Sequence, residues 1–183
     1  MTTIIITASF LLIIIVFVVL YNGFISKRNR VEEAFSGIDI ILKKRFDLIP
    51  NLIEAVKGYM SHEKETFNSI VNLRNQALST NNGDEKLKLD QQLNNAVGAV
   101  FALAESYPDL KANTNFLSLQ SDLREIETEI ERSKRYFNGT IREYNIAVES
   151  FPGNLIAGIF GFPKKDFLEL KEEDQRVSPN VQF

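Results

Sequence analysis

No cysteine occurs in the 183 residues, which excludes disulfides and thiolate chemistry. Its absence suits a reducing compartment. Tryptophan is also missing, and His62 is the single histidine. A zinc centre normally draws three or four ligands at suitable spacing, and there is no thiolate and no second imidazole to supply them. No glycine-rich loop follows a strand pattern, so the nucleotide-binding fingerprints are absent. The net charge of −3 is mild and gives no reason to invoke nucleic acid. The most telling lack is local. The first 26 residues carry no charged side chain, and Lys27-Arg28-Asn29-Arg30 follows at once.

Ile4 to Leu20 is almost solid Ile, Leu, Val and Phe. Through Phe24 the run exceeds the roughly 20 residues with which a helix crosses about 30 Å of hydrocarbon. A signal peptide would show a basic leader, a shorter core and a small-residue cleavage site. None precedes or ends this run, and a buried core helix would carry a polar face. The stretch therefore predicts a transmembrane anchor over residues 1–26, spanning about 4–24. Lys27, Arg28 and Arg30 lie just after it, with Lys43, Lys44 and Arg45 further on. Basic residues close to a span favour the cytoplasmic side. The expectation is a single-pass protein of the cell membrane, N-terminus outside and helical domain in the cytoplasm.

Beyond the anchor there is room for one domain, and it reads as helix throughout. Val31, Phe35, Ile38, Leu42, Phe46, Ile49, Ile53, Val56 and Met60 recur in steps of three and four, and Phe67, Ile70, Ala77 and Leu78 continue them. Leu89, Leu93, Val97, Val100 and Ala104 form a second stripe. Phe116, Leu119, Leu123, Ile126, Ile130, Phe137, Ile141, Tyr144, Val148 and Phe151 form a third. Such faces are buried against one another. The fold class is all-α: an N-terminal transmembrane helix followed by an antiparallel four-helix bundle with long helices, residues 27–151.

The breaks are readable. Residues 79–84 are a polar turn cluster, Tyr107-Pro108-Asp109 closes the next helix, Asn113 or Thr114 caps the last, and Phe151-Pro152-Gly153 ends it. Pro50 predicts a kink. Gly58 to Ser61 offers a stop and a serine cap, so the first reversal falls near Pro50 or, preferably, near Gly58. Four antiparallel helices return the chain to the membrane after Phe151. There residues 152–163 form an apolar segment, too short to span and followed by Lys164 and Lys165. Phe151, Leu155, Ile156, Ile159, Phe160 and Phe162 are the candidate lipid or assembly contacts; folding back over the bundle core is the equal alternative. Residues 164–183 read as a flexible polar tail.

Chemistry has one foothold, Ser61-His62-Glu63-Lys64-Glu65, and it reads more simply as a capped helix start. No catalytic, cofactor-binding or metal-ligating residue is assigned, and no cofactor is expected. Lys43-Lys44-Arg45 and Arg124 to Glu131 read as solvated faces with local ion pairs. A buried cluster of Arg45, Asp47 and Glu54 is the less expected arrangement. Asn138-Gly139-Thr140 fits a glycosylation triplet, of consequence only in a glycosylating compartment.

Several blocks resemble the LemA family of bacterial membrane proteins. They are Arg28-Asn-Arg-Val-Glu-Glu-Ala-Phe, Lys44-Arg-Phe-Asp-Leu-Ile-Pro-Asn-Leu-Ile, and Val56-Lys-Gly-Tyr-Met-Ser-His-Glu. Tyr107-Pro-Asp-Leu-Lys-Ala-Asn-Thr-Asn-Phe-Leu, Leu119-Gln, Arg135-Tyr-Phe-Asn, Tyr144-Asn and Phe151-Pro to Phe160-Gly-Phe162 follow in order. Phe35 stands where that family often has tryptophan. The resemblance implies a single span, a four-helix bundle and no established activity. The expected function is a non-enzymatic scaffold at the membrane, a homo-oligomer contacting the lipid bilayer, with no nucleic-acid partner. The alternative is an adaptor or regulator of another membrane protein, such as an envelope protease or sensor. A metal-assisted hydrolase using His62 is the third reading.

Overall fold

The computed structural model describes residues 1–60 and 62–168. Every regular element among them is a helix: α1 (Thr2–Lys57), α2 (Lys64–Ser79), α3 (Gly83–Ala104), α4 (Pro108–Lys111), α5 (Thr114–Glu149) and α6 (Gly153–Phe160). The caps follow from sequence. Asn82 accepts from the backbone N–H of Asp84 and Glu85 at 3.0 and 3.2 Å, with two acids in the first turn of α3. Asn113 accepts from the Phe116 N–H at 3.1 Å and opens α5. Pro108 sits in the first turn of α4, where its missing N–H costs nothing. The expected Ser61 cap, and the tail beyond Leu168, lie outside the described residues.

Pro50 falls inside α1 and does not end it. The helix runs on to Lys57, and the connection to α2 occupies residues 58–63. A proline in mid-helix frees the carbonyl four residues earlier, here that of Phe46. Arg74 on α2 donates its Nε–H to that carbonyl at 2.9 Å. The vacancy left by proline thus becomes a tie between α1 and α2, which also establishes that α2 turns back along α1.

The described residues form two compact units, residues 36–132 and residues 1–35 with 133–168. The core of the first takes Ile38, Leu42, Phe46, Ile49, Leu52 and Val56 from α1, with Phe67 and Ile70 from α2. It adds Leu93, Val97 and Val100 from α3, and Phe116, Leu123, Ile126 and Ile130 from α5. Each such burial stabilises by roughly 1.5–3 kcal/mol before chain entropy is counted. Leu52 is buried in place of the expected Ile53, the same stripe read one residue along. The other unit buries Phe24, Val31 and Ala34 of α1, Phe137, Ile141 and Tyr144 of α5, and Ile156, Ala157 and Phe162. Phe35 and Phe137 meet at 5.5 Å between ring centroids.

The third apolar stripe stops short of its expected end. Phe151 is 80% exposed, because α5 closes at Glu149 and the chain turns there. Gly153 then fits where nothing larger would. A Cβ there would lie 2.4 Å from the Ala147 carbonyl oxygen and 3.3 Å from the Phe24 ring.

Candidate functional site

α1 is long and apolar enough to cross a membrane, and the most apolar part of it buries nothing. Lys27, Arg28 and Arg30 sit on the turns that follow. Arg28 pairs with Glu32 at 3.8 Å and Arg30 with Glu143 at 3.4 Å, all four largely exposed. Exposed pairs of this kind contribute little stability.

The segment after Phe151 folds onto α1. Phe160 lies 4.8 Å from Tyr21 and 5.5 Å from Phe17 between centroids, and Phe162 stacks on Phe24 at 5.1 Å and 13°. Ile156 and Phe162 are buried in this contact. Leu155, Ile156 and Ile159 line an apolar groove of about 330 Å³ whose other wall includes Leu12, Val16 and Leu20. Leu155, Ile159 and Phe160 remain 57%, 69% and 46% exposed. The six expected contact residues therefore divide: Ile156 and Phe162 are buried in the seat, Phe160 is half-exposed but packs its ring on Tyr21 and Phe17, and Phe151, Leu155 and Ile159 face outward. The segment folds back: it lies against residues 12–24 of α1, and Gly153 at its start abuts Ala147 of α5.

α6 is held from its other end as well. Gly161, at φ 67°, closes the helix, and the Phe162 N–H bonds the Ala157 carbonyl at 3.0 Å, a left-handed cap that favours glycine. Lys164 reaches Glu149 at 2.6 Å, and the carboxylate beside it raises the Lys164 pKa. Asn145 and Asn138 then grip the chain that follows, each by a donated and an accepted bond at 2.9 Å.

In residues 36–132 the polar centre is Arg45, which the sequence reading had placed in solvent. It is buried, and Asp47 and Glu54 are not its partners. Its Nη1 donates to both oxygens of Asp90 at 2.9 and 3.0 Å, and its Nη2 donates to Glu127. Asp90 is 2% exposed. Three helices thus meet at one guanidinium. A recess of about 190 Å³ opens beside it, against Val97, Phe101 and Leu123. The signal for Asp90 was its place beside Leu89 on the buried stripe of α3, where an isolated carboxylate needs a cation.

His62 is exposed; its backbone N–H, not its ring, meets Glu63 at 3.1 Å. Glu63 also accepts from the Tyr107 hydroxyl at 2.7 Å, a bond that raises the Tyr107 pKa. Among the described residues, no group of three His, Asp or Glu side chains is placed to hold a metal.

Comparison with known proteins points one way. The family model described as LemA family matches residues 34–183. Magnetosome protein MamQ of Magnetospirillum gryphiswaldense is 20% identical, covering 82% of this chain and 65% of that protein. Magnetosome protein MamQ 2 of Paramagnetospirillum magneticum shows the same values. Protein LemA of Metamycoplasma hominis is 28% identical over 74% of this chain and 63% of that protein. The chain thus spans about two thirds of the length of these relatives or slightly less.

Proposed function

Because the chain belongs to the LemA family, we propose that it is a membrane-anchored, non-enzymatic helical protein whose copies associate as a scaffold at the cell membrane. The observation that carries this is the outward apolar edge formed where α6 lies along α1. Leu155, Ile159 and Phe160 extend the exposed surface of the anchor helix itself. In lipid that edge costs nothing, and glycines 158 and 161 beside it let a second helix approach closely. Arg45, the buried cation of the body, is paired with Asp90 and Glu127 across three helices, which gives it a structural role. Confinement to a membrane raises the effective concentration of copies, so weak lateral contacts suffice.

Residues 36–132 read as an antiparallel four-helix bundle, with Arg45 as its central tie. Lys27, Arg28 and Arg30 set that body on the cytoplasmic side. Differently tagged full-length copies, crosslinked in intact membranes, test the scaffold. Mixed-tag species are expected. Monomers alone would overturn self-association, and one dominant foreign partner would favour an adaptor of another membrane protein.

A further inference from the structure

Asn138 and Asn145 stand seven residues apart on α5, so they share a face and lie about 10 Å apart along its axis. Lys165 and Leu168 stand three residues apart in a stretch without helix or strand. Extended chain rises about 3.1–3.3 Å per residue, so those two also lie about 10 Å apart. The spacings match, and the pairing runs antiparallel. The Asn145 side chain donates to the Lys165 carbonyl and accepts from the Lys165 N–H, both at 2.9 Å. Asn138 does the same with Leu168, again at 2.9 Å each way. An amide side chain offers donor and acceptor together, as a neighbouring strand would; a carboxylate or an aliphatic group does not.

This is a built site for the backbone of an extended peptide. Its bonds meet the backbone N–H and C=O at positions n and n+3. Every copy of the chain carries the same strand, and that strand lies beside its own Asn pair. Site and strand therefore stand at matching height in copies anchored side by side. Pro163 and Lys164 join the strand to buried Phe162, so its release breaks the four asparagine bonds and not the seat of α6. The Lys164–Glu149 pair that also restrains it is exposed at both ends and holds weakly.

We propose that Asn138 and Asn145 form a strand-docking site through which neighbouring copies exchange residues 163–168, each copy's strand lying on its neighbour's α5. The inference rests on the self-association reading and gives it a specific contact. Gly139 and Thr140 complete a triplet with Asn138, whose amide is committed to this grip rather than available for modification.

Absence of native cysteine makes the test clean. One full-length copy carries Arg142→Cys, between the two asparagines, and a differently tagged copy carries Asp166→Cys, between the two docked residues. Both are co-expressed and oxidised in membranes. A mixed-tag disulfide is expected. It should be lost when Asn138→Leu and Asn145→Leu are added to the copy bearing Arg142→Cys. It should persist when they are added to the copy bearing Asp166→Cys. A parallel pair of copies carrying Ile159→Cys reports whether copies are neighbours at all. Crosslinking through position 159 without any between 142 and 166 would sink strand exchange and leave the scaffold standing. No crosslink at either pair would sink both. A 142–166 crosslink indifferent to the asparagines would overturn the docking site.

Discussion

At the scale of single residues, the chain buries an ion pair where a solvated surface is expected. Arg45 lies in a basic run whose other members, Lys43 and Lys44, are exposed. Sequence alone does not separate them, because the helical phase that buries Phe46 and Leu42 also turns Arg45 inward only if a carboxylate waits there. Asp90, 45 residues away, supplies it. Removing the guanidinium strands a buried carboxylate without its cation, so Arg45→Met is expected to cost about 3–5 kcal/mol. Arg45→Met with Asp90→Leu removes both charges and should recover much of that loss. Urea unfolding of the two variants checks this; equal destabilisation would mean the pair is not coupled. Tyr144 gives a pH prediction. Burial raises its pKa above the ordinary 10, and the nearby Arg28 only partly opposes that. The folded state therefore holds this proton more tightly than the unfolded chain. Stability from this group is complete below pH 10 and is lost as pH rises through the higher folded value. Tyr144→Phe should flatten the fall in stability above pH 10, seen by comparing alkaline unfolding of the two proteins.

At the scale of elements, the existence of the helices was legible, their limits in part, and their accommodations not. The three apolar stripes, the polar turn at 79–84 and a cap at Asn113 or Thr114 follow from period and cap chemistry, which are local; the first reversal stays open between Pro50 and Gly58, because the apolar period runs across both. The passage of α1 through Pro50 is not local: it depends on Arg74, 28 residues beyond Phe46. This makes a thermodynamic cycle informative. Arg74→Met in the native chain leaves the Phe46 carbonyl without its donor and should cost about 1.5–3 kcal/mol. Pro50→Ala restores an N–H at the helical position, so the same arginine change in that background should cost much less. Additive losses would show that Arg74 acts through some other contact. The seat of α6 rests on a different constraint. Gly153→Ala would drive a methyl into the Ala147 carbonyl, and backbone must move to admit it. A loss on the order of 1–3 kcal/mol is expected. Since tryptophan is absent, Phe160→Trp supplies a lone indole beside Tyr21, excited at wavelengths where the five tyrosines absorb little. Its emission should shift when Gly153→Ala is added, and an unchanged spectrum would argue that α6 keeps its place.

At the scale of the whole molecule, sequence identified the apolar segment as the candidate site because composition alone marks it, yet left its seat open. That seat depends on ring contacts between Phe160 or Phe162 and Tyr21 or Phe24, more than 130 residues apart. The asparagine grip has no sequence signature for a related reason: one member of each bond is backbone. Orientation across the membrane is the reverse case, governed by charge close to the span. Glu32 and Glu143 partner two of the three basic residues there. Topology follows the count of Lys and Arg near a span and not net charge, so these acids should not cancel the bias. The body of the protein is thus expected inside the cell. A cysteine-free chain allows this to be read directly. Thr3→Cys should react with an impermeant maleimide in intact cells, whereas Asn29→Cys and Glu105→Cys should react only after lysis. Changing Lys27, Arg28 and Arg30 to Gln, with lysines added beside Met1, should reverse that pattern if charge is what sets it. Outside labelling of positions 29 and 105 in the unaltered chain would invert the topology. Labelling unaffected by the charge changes would mean that the folded helices, not the basic turn, fix which side they occupy.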